Sequence, residues 1–309
     1  MVPLIIDCDP GVDDAIALLM AMARGDRFHL LGITAVAGNV PLPYTVRNAL
    51  KICALAGNFQ VPVYAGCPRP LLQPLFTAAD VHGATGLRGA ELPAPQAAPQ
   101  PSHAVSFLID TLTQAAQPVT VAALGPLTNL AVALVQAPQI AQHIERLVVM
   151  GGAVGQGNVT PAAEFNMYVD PHAARIVFEA DIPTTLITLD TTHQVLTTPK
   201  RLAAIRQFGG DVALAAADLL AHYGRSDVER YGMEGAPLHD PCVVAYLLQP
   251  ELFSLRPTTV TVDIVSPDNM GRTVVDWWHR TGAVANVEIA AAVDASGVYD
   301  LVLDALSRF

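Results

Sequence analysis

Four carboxylates crowd one short stretch near the start of the chain. They are Asp7, Asp9, Asp13 and Asp14. Asp13 and Asp14 fall in the first turn of a predicted helix, where the helix dipole stabilises a negative charge by under ~1 kcal/mol. That gain does not offset the repulsion among four clustered charges, so the spacing predicts a bound divalent cation. Oxygen ligands favour Ca²⁺ or Mg²⁺ over Zn²⁺; the alternative is an acidic helix cap without a metal.

A second candidate motif, His239-Asp240, lies far along the chain and opens another predicted helix. Taken alone, it fits a helix cap beside a hydrogen-bonded histidine. Beside a carboxylate cluster that needs one more anionic ligand, Asp240 instead predicts a shared metal site. His82 lies in a glycine-flanked loop suited to a mobile lid, and alone it indicates little.

The elements that must position these residues alternate between short apolar runs and helix-like segments. The apolar runs predict strands at residues 2–6, 28–36, 61–64, 119–124, 146–150 and 184–189. Helical patterns lie at residues 12–24, 44–56, 104–116, 127–136 and 171–180. Strands that are apolar throughout and separated by helices are typical of a parallel sheet covered on both faces. We therefore predict an α/β fold, a single large domain over residues 1–309 with a mostly parallel central sheet flanked by helices.

The carboxyl edge of such a sheet is where ligands bind, and the acidic segment directly follows the first predicted strand. Asn39, Leu124 and Met150 lie at the ends of other predicted strands and should join it there. The backbone carbonyl of Leu124 would suit an oxygen-ligated cation. Three long irregular segments, 66–102, 152–169 and 223–238, interrupt the alternation and predict loops that border the site.

The composition excludes several classes of protein. The chain carries 17 Lys+Arg against 28 Asp+Glu, for a formal net charge of −11, and Lys51 and Lys200 are its two lysines. This balance argues against a surface that follows nucleic-acid phosphates. With 52% hydrophobic residues the chain can bury a core, yet its longest apolar run is broken by Gly125 and Pro126, which argues against a membrane span. Four scattered cysteines and an acidic start without a secretion signal predict a cytoplasmic protein with free thiols.

Five motifs, taken in order, resemble the inosine–uridine-preferring nucleoside hydrolases. They are Asp7-x-Asp9-x-Gly11-x-Asp13-Asp14, Gly38-Asn39, Gly151-Gly152-Ala153, Glu164-Phe165-Asn166 and His239-Asp240. The resemblance covers essentially the whole chain and implies a Rossmann-like α/β fold. Within the family, residues 81–83, 160–170 and 235–241 look most similar to the bacterial pyrimidine-specific ribonucleoside hydrolases.

The resemblance implies hydrolysis of the N-glycosidic bond of a ribonucleoside, giving ribose and free base, with one Ca²⁺ per subunit. Asp9 would be the general base that deprotonates the attacking water, and Asp7 would brace the site from behind. The implied ligands of the ion are Asp9, Asp14, Asp240 and the carbonyl oxygen of Leu124. The implied sugar contacts are Asp13 and Asn39 at the 2′-hydroxyl, Asn166 at the 3′-hydroxyl, Asn158 and Glu164 at the 5′-hydroxyl, and Met150 under the ring.

The base side of the site rests on fewer signals. A histidine is the obvious proton donor to the leaving base, with His239 the first candidate and His82 the second. Trp277 and Trp278 lie far along the chain in a strand-like run, so no tryptophan is near these motifs to stack a purine. Together with Tyr223 or Tyr231, the two histidines predict a small pocket that favours uridine or cytidine.

Other functions fit the sequence less well. A purine-tolerant nucleoside hydrolase and a non-catalytic, Ca²⁺-stabilised nucleoside-binding protein are the alternatives within reach of the same motifs. A Mg²⁺-dependent phosphohydrolase of the haloacid-dehalogenase type would explain Asp7-x-Asp9, but it needs a lysine for the phosphate and leaves His239-Asp240 unexplained. The family resemblance also implies a homo-oligomer, dimer or tetramer, that serves nucleoside salvage.

Overall fold

An eight-stranded sheet forms the centre of the molecule in the computed structural model, which describes residues 1–223, 228 and 232–309. Its strands are β1 (Val2–Cys8), β2 (Phe28–Ala35), β3 (Val63–Ala65), β4 (Val119–Ala123), β5 (Ile144–Met150), β6 (Thr184–Ile187), β9 (Phe253–Thr258) and β12 (Val287–Val293). The order across the sheet is β3-β2-β1-β4-β5-β6-β12-β9. Every neighbouring pair is parallel except β12 with β9, which runs antiparallel at the edge. The predicted α/β fold with a mostly parallel sheet is confirmed.

Two small antiparallel pairs lie outside this sheet. They are β7 (Leu196–Thr197) with β8 (Ala236–Pro237), and β10 (Val260–Val262) with β11 (Thr273–Val275). Among the described residues the α-helices are α1 (Val12–Ala23), α2 (Leu42–Leu55), α3 (Ala79–His82), α4 (Ala104–Gln114), α5 (Thr128–Gln136), α6 (Phe165–Val169), α7 (Pro171–Phe178), α8 (Leu189–Thr192), α9 (Pro199–Phe208), α10 (Gly210–His222), α11 (Pro241–Leu248) and α12 (Ala295–Leu306). Short 3₁₀ helices span Pro138–His143 and Pro250–Leu252. None of the helices in this part of the chain is long and apolar enough to cross a membrane.

Helix α1 is the element on which the acidic segment is mounted. Nearly all of its residues are buried, because it packs against α2, α10, α11 and α12 while covering the sheet. Full burial of a side chain such as Leu18 or Leu19 contributes ~1.5–3 kcal/mol. Gly11 is its N-cap, and Asp13 and Asp14 occupy its first turn. The hydrophobic core therefore holds the charged end of this helix in a fixed place.

The central strands are apolar because both of their faces are covered. All five residues of β4 are buried, as are the last five of β1. Their carboxyl ends share one edge of the sheet, since β1 is hydrogen-bonded to β2 on one side and to β4 on the other. The segments that follow these strands are thereby brought together, as the sequence predicts.

The C-terminal region departs from the sequence pattern. Trp277 and Trp278, which the pattern places in a strand-like run, lie in the turn after β11. There the guanidinium of Arg256 stacks on both indole rings, 4.3 and 5.3 Å from their centroids. This cation–π contact stabilises the turn conformation of an aromatic pair that would otherwise favour a strand.

Candidate functional site

A cavity of about 430 Å³ opens at the carboxyl edge of the sheet, beyond the ends of β1, β2, β4 and β5. The sequence-predicted residues that line it are Asp9, Asp13, Asn39, His82, Leu124, Met150, Asn158, Glu164, Asn166, Tyr223, His239 and Asp240. Asp14 lies directly behind it, fully buried. Tyr231 and most of the first half of the predicted loop 223–238 lie outside the described residues. Residues that are far apart in the sequence are thus collected in one place by the sheet edge.

Asp14 closes the turn between β1 and α1. Its carboxylate accepts hydrogen bonds from the backbone N–H groups of Gly11, at 2.8 Å, and Asp9, at 3.2 Å. The side-chain amide of Asn39 donates a third, at 3.2 Å. Asp14 is therefore a helix-capping residue and a member of the acidic cluster at once.

Asp9 is held by its neighbours at a fixed position. Its Oδ2 accepts the backbone N–H of Asn39 at 2.6 Å. A Cβ at Gly38 would fall 2.0 Å from Oδ2 of Asp9, and one at Gly125 would fall 2.4 Å from Oδ1. Only glycine leaves room for this carboxylate at both positions.

Three further acidic side chains meet beside Asp9. Carboxylate oxygens of Asp13, Asp14 and Asp240 lie within 4.8 Å of one another, and all three residues are buried. Burial, reinforced by repulsion from Asp13, raises the pKa of Asp14 from 3.8 to about 7. Burial, followed by repulsion from Asp14, raises the pKa of Asp9 well above its ordinary range, and burial followed by repulsion from Asp13 does the same to the pKa of Asp240.

This donor set fits a hard divalent cation. None of the described side chains lining the cavity is a lysine or an arginine, so no cationic side chain among them neutralises the cluster. Carboxylate oxygens gathered at this density are typical ligands of Ca²⁺ or Mg²⁺. The carboxylate oxygens that lie within 4.8 Å of one another belong to Asp13, Asp14 and Asp240. The carbonyl oxygen of the predicted ligand Leu124 accepts a hydrogen bond from the side-chain amide of Asn166 at 2.7 Å.

Asp7 supports the cluster from below. It is completely buried and accepts hydrogen bonds from the hydroxyl of Thr34 and, at 2.8 Å, from the amide of Asn129. Asn129 also accepts the backbone N–H of Cys67 at 2.8 Å, which ties the segment after β3 to β1. Burial raises the pKa of Asp7 from 3.8 to about 7.

The opposite wall carries polar side chains that face the cavity from α6 and the segment before it. Glu164 caps α6 by accepting the N–H groups of Asn166, at 2.9 Å, and Met167, at 3.2 Å, and it also accepts that of Gly152 at 2.9 Å. Burial raises the pKa of Glu164 from 4.5 to about 7. The amide of Asn166 donates to the carbonyls of Leu124 and Met150, which fixes its orientation.

The rings of His82, Tyr223 and His239 form another part of the described wall. The ring centroid of Tyr223 lies 5.4 Å from that of His82 and 6.5 Å from that of His239. The Nδ1 atom of His82 accepts the backbone N–H of Val12 at 3.1 Å, so the neutral ring carries its proton on Nε2. The Nδ1 atom of His239 lies 2.7 Å from the hydroxyl of Thr192. Burial lowers the pKa of His82, and that of His239 from 6.5 to about 4, so both rings are neutral near pH 7.

The sequence did not single out the apolar rim of the cavity. Phe76 lines the cavity, is 43% exposed, and contacts Phe165 and Tyr168 at ring-centroid distances of 6.2 and 5.3 Å. Phe165 stands inside the motif Glu164-Phe165-Asn166, so the sequence does carry a signal for it. Phe76 lies in a Pro-rich segment with no periodicity, and no local pattern identifies it.

Comparison with known proteins places the chain near one group. The sequence pattern of the inosine-uridine preferring nucleoside hydrolases matches residues 4–300. The pyrimidine-specific ribonucleoside hydrolase RihA of Shewanella woodyi is 44% identical over 310 residues, covering 99% of this chain and 98% of the relative. RihA of Salmonella paratyphi C is 42% identical over 308 residues, covering 99% of each. A solved structure, the purine-preferring ribonucleoside hydrolase from Gardnerella vaginalis, aligns with a TM-score of 0.92 at 33% identity over 99% of this chain and 98% of that one.

The tight fit around Asp9 predicts the effect of a single added methyl group. Gly38→Ala should displace the Asp9 carboxylate and destabilise the fold by ~1–3 kcal/mol. Because the displaced carboxylate can no longer face the cluster, we expect Ca²⁺ affinity, measured by calorimetric titration, to fall at least about tenfold. Gly25→Ala is the matched control, since a Cβ there meets nothing within 4 Å. Unchanged Ca²⁺ affinity in Gly38→Ala would contradict the placement of Asp9 in the site.

Proposed function

Because the chain belongs to the inosine-uridine preferring nucleoside hydrolase family, it is a ribonucleoside hydrolase, and we propose that it cleaves pyrimidine ribonucleosides with one bound Ca²⁺. The observation that carries the proposal is the cavity itself. Its lining combines a cluster of buried carboxylates with other polar side chains and with aromatic rings. Such a cavity attracts a cation and a polyhydroxylated neutral ligand, and it repels a phosphate.

The proposed ligands of the ion are Asp9, Asp14, Asp240 and the carbonyl of Leu124. Asp13 adjoins the same oxygens. When bound, Ca²⁺ would lower the pKa of the attacking water and order the ribose hydroxyls. The ion would also offset the repulsion that raises the pKa values of these carboxyl groups.

Asp9 is the proposed general base. The N–H of Asn39 and the space left by Gly38 hold its carboxylate in the cavity. It would take a proton from water as the water oxygen bonds to C1′ of the ribose. The C1′–N bond breaks in the same step, ahead of full C–O bond formation, and its electron pair leaves with the base. A positioned base of this kind contributes typically 10²–10⁴-fold to the rate.

The ribose would be held between the two polar walls. We propose that Asp13 and Asn39 bind the 2′-hydroxyl, Asn166 the 3′-hydroxyl, and Asn158 and Glu164 the 5′-hydroxyl, with Met150 beneath the ring. Departure of the base builds positive charge on the sugar, as in other glycosyl transfers. Carboxylates around the sugar stabilise that charge, and dense hydroxyl binding orients C1′ toward the water.

The leaving base would face His82, His239 and Tyr223. The sequence predicts His239, then His82, as the proton donor. Burial keeps both rings neutral near pH 7. We therefore propose that each histidine donates a hydrogen bond from a ring N–H group to the departing base. For His82 the Val12 contact leaves Nε2–H as that donor. These hydrogen bonds would stabilise the negative charge that develops on the departing base.

The pyrimidine preference is supported by the relatives at 42–44% identity, whose names state that specificity. The rings of His82, His239 and Tyr223 leave a pocket that suits a small base. The purine-preferring structure at 33% identity favours the alternative, a purine-tolerant hydrolase on the same fold.

We further propose that the enzyme works in nucleoside salvage, in the cytoplasm, as a homo-oligomer. Its four cysteines are buried free thiols, a state that a reducing compartment maintains.

The substrate assignment predicts a rank order of rates. We expect release of ribose from uridine and cytidine with kcat/KM at least about tenfold above that for inosine and adenosine. A chelator should remove the activity and added Ca²⁺ should restore it, because the buried carboxylates need a cation. A reducing-sugar assay measures both effects. Faster cleavage of inosine would refute the pyrimidine preference, and no ribose from any nucleoside would refute hydrolysis.

The role of Asp9 predicts the behaviour of an isosteric variant. Asp9→Asn can still accept the N–H of Asn39, so the fold should persist, whereas kcat should fall about 10²–10⁴-fold. Asp268→Asn, in an exposed turn, is the matched control and should keep the wild-type rate. Near-full activity of Asp9→Asn would show that another group is the base.

A further inference from the structure

Tyr223 connects two parts of the cavity that the sequence treats separately. Its ring contacts the rings of both His82 and His239 on the base side. Its hydroxyl, however, donates a hydrogen bond of 3.1 Å to Oδ2 of Asp13, in the first turn of α1. The tyrosine is 5% exposed, so this contact is shielded from bulk water. The hydroxyl of Tyr223 therefore binds a carboxylate on the sugar side of the cavity.

Unlike Asp9 and Asp14, Asp13 accepts no hydrogen bond from a backbone N–H group of the described residues. Asp14 is held by two backbone N–H groups and Asp9 by one. Among the described residues, the Tyr223 hydroxyl is the hydrogen-bond donor that the structure gives to Asp13. Asp13 also adjoins the oxygens of Asp14 and Asp240, which repel it. A neutral donor is what keeps this carboxylate in place without adding charge.

We propose that Tyr223 is a positioning residue for ribose recognition: its hydroxyl holds one oxygen of Asp13 so that the carboxylate meets the 2′-hydroxyl of the substrate. This inference deepens the proposed function and rests on it. A carboxylate accepts several hydrogen bonds, so the tyrosine and the sugar hydroxyl can bind Asp13 together. Tyr223 then sets the preference for ribose over 2-deoxyribose, although its ring faces the base.

Removal of the Tyr223 hydroxyl has different consequences for ligands with and without a 2′-hydroxyl, depending on what that hydroxyl contacts. If Tyr223 acts through Asp13, loss of its hydroxyl matters only to a substrate that carries a 2′-hydroxyl. If the Tyr223 hydroxyl instead contacts the base, its loss affects uridine and 2′-deoxyuridine equally. The comparison of these two nucleosides therefore tests the route by which Tyr223 acts.

The experiment uses Tyr223→Phe, which keeps the ring and removes the hydroxyl. We expect kcat/KM for uridine to fall about tenfold, the effect of losing one hydrogen bond to a charged group. The inhibition constant of 2′-deoxyuridine, used as a competitive inhibitor of uridine hydrolysis, should change by less than about twofold. Tyr246→Phe is the matched control, because its buried hydroxyl is hydrogen-bonded to Arg146 and Thr185 and not to the cavity. It should change neither quantity.

Three results would overturn the inference. They are a parallel weakening of uridine and 2′-deoxyuridine, an unchanged kcat/KM for uridine, and faster uridine hydrolysis, which would mean that the hydroxyl competes with the sugar for Asp13. Wild-type protein that releases no ribose from uridine is a different failure. It would refute the proposed function first, and this inference with it.

Discussion

The repulsion among buried carboxylates at one edge of the sheet is the interaction on which the rest of this structure depends. Asp9, Asp13, Asp14 and Asp240 lie together out of water, and the described cavity lining offers them no lysine or arginine. Backbone N–H groups, the amide of Asn39 and the Tyr223 hydroxyl compensate part of this cost. A carboxylate cluster that packing and these hydrogen bonds hold in place, although its burial is unfavourable, is suited to bind a cation and a sugar that develops positive charge.

The sequence predicts best those polar site residues that directly follow a predicted strand. The acidic segment after β1, Asn39 after β2 and Leu124 after β4 could be placed together because parallel strands share a carboxyl edge. The C-terminal elements were harder. The Ala-rich β12 has no clear strand pattern, and β9 runs antiparallel to it at the sheet edge. Both are specified by tertiary packing, which a local pattern does not report.

Contacts between distant segments could not be read from the sequence at all. The Tyr223 hydroxyl reaches Asp13 across 210 residues, and Phe76 joins the rim from a segment without regular structure. The sequence predicts Tyr223 or Tyr231 beside the base, and in the structure the ring of Tyr223 contacts those of His82 and His239. What it could not indicate is the direction of the hydroxyl, since that depends on where α10 ends relative to α1. The contact between Tyr223 and Asp13 therefore depends on how α10 and α1 pack together.

The central claim, that a divalent cation stabilises these buried carboxylates, is tested most directly by melting the protein in Ca²⁺ and in chelator across pH. Burial raises the pKa of Asp7, Asp14 and Glu164 from 3.8, 3.8 and 4.5 to about 7. Without a cation, the stability that their protonation provides is complete below pH ~4 and is lost as the pH rises through 7. The buried histidines act in the opposite sense below pH 6.5, but they do so in both solutions. Ca²⁺ at a hundredfold excess over its Kd adds ~2.7 kcal/mol, a rise in Tm of roughly 5 °C. The account predicts that this Tm difference grows from pH 5 to pH 8; a difference that is absent, or that shrinks as the pH rises, would contradict it.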